Sequence, residues 1–153
     1  MAGNRPGGVT VLAILEFLGG ILDLGGGAYY LNYVGSLVSA YGLSATNVTD
    51  YYAFYAIELV FGLIALAVGY AFWTGKAWGW RLGIFASIAS VIYSLGFGAY
   101  FVSVYGDYTE LSGGAIGLIV SLIVIYYLTR PHVKAYFGTG QPTMMPPPPP
   151  PPM

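Results

Sequence analysis

The chain contains no cysteine, which excludes disulfides, thiolate catalysis and cysteine-based metal sites. Histidine is nearly as scarce. The single His132 lies in a basic segment without partner ligands, so no metal site is expected there. Nucleophilic catalysis also has no candidate base beyond a few carboxylates. Charge of either sign is rare, with five basic and six acidic residues making up 7% of 153 positions. A soluble domain carries roughly a quarter charged residues, and a water-facing surface cannot be assembled from so few. The net charge of −1 supplies no basic footprint, so nucleic acid is not a partner. Phosphate-binding motifs are missing too: GGGAYY from Gly25 follows no strand and is no phosphate loop. No cofactor and no enzymatic activity are expected.

What the chain does have is apolar length. Hydrophobic residues make up 57%, and a spanning helix needs about 20 mostly apolar residues. Four stretches qualify: 9–31, 52–73, 82–102 and 113–129. The first could also continue through Asn32 towards Tyr41 as a tilted helix. The N-terminal run after Arg5 is longer than a secretory h-region and lacks a small-x-small cleavage site, so it is expected to remain as the first span. The fold expected is all-α: a four-span antiparallel transmembrane helix bundle over residues 1–138.

Charge then orients the bundle. Lys and Arg concentrate on the cytoplasmic side of membrane proteins. Four spans place Arg5, Lys76, Arg81, Arg130 and Lys134 on one side, and leave Asp50, Asp107 and Glu110 in the two opposite connections. Both termini are therefore expected in the cytoplasm, in a protein of the cell membrane. Trp73, Trp78 and Trp80 stand where aromatic rings anchor at the headgroup level, and Tyr51, Tyr52, Tyr105 and Tyr108 suit an outer belt. The outer connection near 33–50 includes Asn47-Val48-Thr49, a glycosylation sequon. Residues 129–138, TRPHVKAYFG, suit a short interfacial segment. The tail, 139–153, ends in Pro146–Pro152. That run favours extended polyproline II; it is either a low-complexity tail or a docking site for a groove-bearing partner.

The spans themselves carry acids. Charged side chains inside a membrane are costly and mark functional-site candidates. At 100° per residue, Glu16, Gly20, Asp23 and Gly27 fall within about 60° of one another, while Val11, Ile14, Leu18 and Ile21 take the lipid-compatible surface. Span two repeats the design, with Glu58 on the face of Gly62, Ala65 and Gly69. Span three offers Gly83, Ser87, Ser90 and Ser94 on one stripe, and span four Gly113, Gly117 and Ser121 at four-residue intervals. Small residues mark close helix contact in membranes, so Gly20, Gly27, Gly62, Gly69 and Gly117 are expected to pack helices. Glu16, Asp23, Glu58, Ser87, Ser90 and Ser94 are expected to face a polar seam. Counting rise per residue, Asp23 and Glu58 should lie at similar depth, with Glu16 about 10 Å deeper. No Lys, Arg or His lies in a span to neutralise them. The acids must then be protonated, hydrogen-bonded, wetted by a crevice or bound to a cation.

Three stretches carry a resemblance. RPGGVTVLAILEFLGG from Arg5, GKAWGWRLGI from Gly75 and IYYLTRPHVKAYFG from Ile125 resemble small four-span membrane proteins of unknown function that are common in archaea. The pattern covers most of residues 5–138 and implies architecture, not activity. The place of Glu16 is also similar to that of the essential glutamate in the first helix of small multidrug resistance transporters, which implies a proton site there. Chain length, one-sided basic residues and long outer connections depart from that second pattern. Two functions follow as expectations. One is a structural, accessory or scaffold protein whose neutral acids hold helices together. The other is a proton- or cation-coupled carrier of a small solute, with Asp23 and Glu58 as coupling pair and Glu16 as inner relay. For either, the bilayer is a partner, and a homo-oligomer or a membrane protein partner is expected.

Overall fold

The computed structural model describes residues 5–44, 48–106 and 108–139. Asn47 of the sequon, Asp107 and the prolines Pro146–Pro152 lie outside them. Among the described residues the chain is all-helical: α1 is Gly7–Tyr41, α2 Thr49–Thr74, α3 Ala77–Tyr105, α4 Thr109–Leu128 and α5 Pro131–Tyr136. α1, α2 and α3 are each long and apolar enough to cross a membrane, which marks a membrane-embedded protein.

The helix boundaries follow from a few residues. α1 starts after Pro6, whose carbonyl accepts from the amides of Val9 at 2.9 Å and Thr10 at 3.3 Å. It then runs for 35 residues, past Leu31 to Tyr41, the longer of the two extents expected. Nothing between Asn32 and Tyr41 breaks a helix, and the stop comes only at Gly42, with φ +62°. The connection expected over 33–50 is correspondingly short. α2 and α3 end the same way, at Gly75 with φ +68° and Gly106 with φ +67°. Only glycine enters this left-handed conformation without a Cβ penalty, and it frees the chain to reverse direction. Gly75 and Lys76 alone separate α2 from α3, so most of the segment expected as an inner turn is helix. α5 opens on Pro131, whose fixed φ suits the first helical position.

Two antiparallel hairpins result. α1 packs along α2 and α3 along α4, and the hairpins join less extensively through α2 and α3. A dense core at the basic end is built from Val9, Leu12 and Ala13 of α1, Val68 and Phe72 of α2, Val124 and Leu128 of α4, and Val133 with Phe137 at α5. Trp80, Leu82 and Ile84 of α3 pack against it, partly buried. The opposite surface of α1 displays Val11, Ile14, Leu18 and Ile21, all exposed, as a lipid-facing stripe requires. In a bilayer such exposure costs nothing, and close packing and polar contacts hold helices together instead.

Basic residues gather at that same end and lie on aromatic rings. The Arg5 guanidinium is 4.3 Å from the Trp73 ring centre, Arg130 3.9 Å from Tyr126, and the Lys134 ammonium 5.9 Å from Trp80. Trp80 does more than the headgroup anchoring expected of it. Its indole N–H donates to the Leu128 carbonyl at 2.8 Å, satisfying an orphan acceptor in the last turn of α4. Trp80→Phe removes that donor and is expected to cost about 1 kcal/mol, read as a lower midpoint of thermal unfolding in detergent micelles.

Candidate functional site

The site is built by one face from each of the four long helices. α1 and α2 approach so closely that their backbones touch. A Cβ added to Gly20 would stand 2.8 Å from the Gly62 carbonyl oxygen, and one added to Gly27 3.2 Å from the Tyr55 carbonyl oxygen. Near the basic end, a Cβ at Gly69 would meet the Ala13 carbonyl oxygen at 3.2 Å. Four of the five expected packing glycines therefore line this one interface. The fifth, Gly117, faces Ser94 across the α3/α4 seam, with 3.6 Å between Ser94 Oγ and a Cβ built there.

The glycine contacts set the register, and the register sets the acids. Asp23 Cβ lies 3.1 Å from the position a Cβ would take on Gly62, which is one helical turn from Glu58. The equal depth expected for Asp23 and Glu58 is thus corrected to an offset of about 5 Å along the axis. The physical reason is that close glycine contacts, rather than matched helix midpoints, decide how α1 slides along α2. Glu16 is two turns, about 10 Å, from Asp23 on the same helix. The three acids therefore form a ladder, with Glu16 nearest the basic end and Glu58 furthest from it.

All three open onto one cavity of about 280 Å³. Glu16 and Asp23 come from α1, Glu58 with Phe54, Phe61, Ile64 and Ala65 from α2, and Ala86, Ser87, Ser90, Tyr93 and Ser94 from α3; Val120, Ser121 and Val124 of α4 complete the wall. All six polar residues singled out in the sequence thus meet in one wall, which has no Lys, Arg or His. Ser121 and Tyr93 join them. Ser121 was legible from its stripe on the fourth apolar stretch; Tyr93 gave no signal, since tyrosine is abundant throughout the chain.

Two hydroxyls have their protons already committed. Ser87 Oγ donates to the Gly83 carbonyl at 2.8 Å, and the Tyr93 hydroxyl to the Phe54 carbonyl at 3.2 Å. Although the acids share a wall, no group of three or more metal-ligating side chains converges among the described residues. The cavity is acidic along its length rather than at one point.

Above it, away from the basic end, the rings of Phe54 and Tyr93 stack at 5.8 Å, and Phe97 lies 4.7 Å from Tyr93. Beyond them Asp50 accepts hydrogen bonds from Tyr100 at 2.5 Å and from Tyr105 at 3.2 Å. This tie joins the start of α2 to the end of α3. Residues some fifty positions apart in the chain leave no local pattern from which such a tie can be read. No protein-family model, no curated protein and no solved structure matches this chain.

Proposed function

We propose that this chain is a four-span bundle of the cell membrane, with both termini cytoplasmic, that exchanges protons for a small cation or cationic solute through its acidic cavity. The observation that carries the reading is a cavity whose wall, among the described residues, holds three carboxylates, four serines and no basic side chain. Ionised carboxylates at membrane depth need compensation, and where proteins keep them they commonly mark ion paths and proton relays. Protons and a cation can compensate these acids alternately. α4 supports the fourth span: its 20 residues extend about 30 Å, the thickness of the hydrocarbon core. The basic residues at one end support the orientation through the preference of Lys and Arg for the cytoplasmic side. A bundle this small is expected to work as a homo-oligomer. No cofactor enters the proposal, and the chain is not proposed to be an enzyme.

A second reading has its own support. Phe72, Leu128, Val9, Val68 and Val133 are fully buried at the basic end, and so tight a plug suits a structural or accessory subunit whose neutral acids bind helices together. Infrared difference spectra across pH separate the two. Carboxyl bands that stay protonated throughout favour the structural role.

The direct test uses proteoliposomes that are acidic inside and report internal pH by an entrapped dye. Adding a pool of small inorganic and organic cations outside is expected to raise internal pH faster than in protein-free liposomes. Glu58→Gln, which keeps the shape and removes the titrating group, is expected to cut that rate about tenfold or more, with helical circular dichroism unchanged. A wild-type trace equal to that of protein-free liposomes overturns the proposal.

A further inference from the structure

We infer that the basic end of the bundle binds phospholipids of net negative charge, with Arg81 and Arg130 each taking a headgroup phosphate. Such binding is independent of what the cavity carries.

The charge at this end has no counter-charge in the protein. Arg5, Lys76, Arg81, Arg130 and Lys134 are all the basic residues of the chain apart from His132. Among the described residues no acid stands with them. Glu16, Asp23 and Glu58 face the cavity, Asp50 is tied to Tyr100 and Tyr105 at the far end, and Glu110 is in the first turn of α4, also at the far end. Asp107 falls by sequence between α3 and α4. Aromatic rings hold three of the cations instead: Arg5 by Trp73, Arg130 by Tyr126 and Lys134 by Trp80. A ring engages a guanidinium through its face, whereas its N–H donors call for an oxygen acceptor. Arg5 shows the need most plainly, because its Nη1 is enclosed without a hydrogen-bond partner. Phosphate oxygens suit arginine, which can bind them through two parallel N–H donors.

Charge alone would fit any polyanion, but the surface beside it fits an amphiphile. In α3, Arg81 is followed at four, seven and eleven positions by Phe85, Ile88 and Ile92. Arg130 is preceded at the same intervals by Tyr126, Ile123 and Ile119 of α4. A helix sets residues at these intervals on one side, and all six of these apolar side chains are exposed. α3 and α4 are antiparallel, so both stripes run from an arginine at the basic end into the membrane. A phospholipid has the same order, a charged phosphate followed by acyl chains. A free phosphate or an acidic peptide would match the arginine and leave the stripe unused. Lys76 has no such stripe. At the same intervals it is followed by Trp80, Gly83 and Ser87, of which Gly83 and Ser87 are buried.

The three tryptophans, Trp73, Trp78 and Trp80, all flank the short connection between α2 and α3, so intrinsic fluorescence reports on lipid at the basic end. The test places the full-length protein in vesicles of mixed phosphatidylcholine and phosphatidylglycerol. One lipid at a time carries chains brominated near the headgroup, which quench tryptophan on contact. Brominated phosphatidylglycerol is expected to lie beside the tryptophans about fivefold more often than its share of the bilayer, the effect of roughly one cation near an anionic surface. That comparison needs no variant to fold. Arg81→Gln and Arg130→Gln are each expected to cut the preference about twofold or more, with helical circular dichroism unchanged. Lys76→Gln removes the same charge from a position without a stripe and is expected to keep most of the preference. Inorganic phosphate added at constant ionic strength is expected to change nothing. Equal quenching by the two lipids on the wild-type protein overturns the inference. So does an equal loss in Lys76→Gln and Arg81→Gln, which would reveal diffuse attraction only. A preference abolished by inorganic phosphate overturns it as well, since the site would then be one for the free anion.

Discussion

Phe72→Ala is expected to destabilise the bundle by about 3–5 kcal/mol, the range for removing a fully buried aromatic side chain. Phe72 is 0% exposed. Its ring packs 5.5 Å from that of Phe137, and its carbonyl accepts from the Tyr136 hydroxyl at 3.4 Å, so it joins α2 to the segment that follows α4. A Cβ added to Gly83 of α3 would stand 2.6 Å from the Phe72 ring. The ring therefore occupies the space that this glycine leaves. Truncating it opens a void in the core that α1, α2, α4 and α5 share. Unfolding by sodium dodecyl sulfate, followed by circular dichroism in mixed micelles, reads the change directly. A double-mutant cycle sharpens the assignment. Gly83→Ala is expected to destabilise the wild type by about 1–3 kcal/mol through overpacking, and to be nearly neutral where Phe72 is already alanine. Additive effects would show that the two positions do not share this space.

Gly20→Leu is expected to force α1 and α2 apart. The first atom of any side chain there would sit 2.8 Å from the Gly62 carbonyl oxygen and 2.9 Å from the Leu66 side chain. Leu66 can turn aside, but the backbone oxygen cannot. Relief then requires the two helices to separate along their closest contact. A cost of about 3 kcal/mol or more is expected, at or above the upper end for overpacked cores. The neighbouring glycine supplies the control. Among the described residues nothing lies within 4 Å of a Cβ at Gly19, so Gly19→Ala is expected to be neutral or to stabilise by up to about 1 kcal/mol, the helix-propensity gain. The same detergent unfolding assay reads both. Separation of α1 also moves Glu16 and Asp23 away from the α2 and α3 sides of the cavity. Gly20→Ala, the milder change, is therefore expected to weaken cation-driven alkalinisation in proteoliposomes by more than its effect on unfolding alone predicts.

Much of this site is written in local spacing. Glu16, Gly20, Asp23 and Gly27 recur at three- and four-residue intervals, and a helix turns such residues to one side. The same holds for Glu58 with Gly62, and for Ser87, Ser90 and Ser94. The extent of α1 was legible only as two alternatives, an end near Leu31 or a helix continued towards Tyr41, and the structure takes the second. Asn32 and Tyr33 look like the end of an apolar run, yet a helix continues until something stops it, and the stop is Gly42. The tie from Asp50 to Tyr100 and Tyr105 was not legible at all. It depends on where α2 begins relative to where α3 ends, a relation that no window of either helix contains.

The sequence by itself determined an all-helical chain with membrane-length apolar segments, which side of each helix carries its acids and small residues, and the pairing of those acids with glycine rather than with a basic partner. These follow from composition and from the 3.6-residue period, both local properties. Only the tertiary structure decided how far α1 slides along α2, that Asp23 stands one turn from Glu58 rather than level with it, and that all six polar residues line one cavity of about 280 Å³. The reason is the same in each case. Depth depends on which glycines of one helix meet the backbone of the next, and that contact is settled when the helices pack.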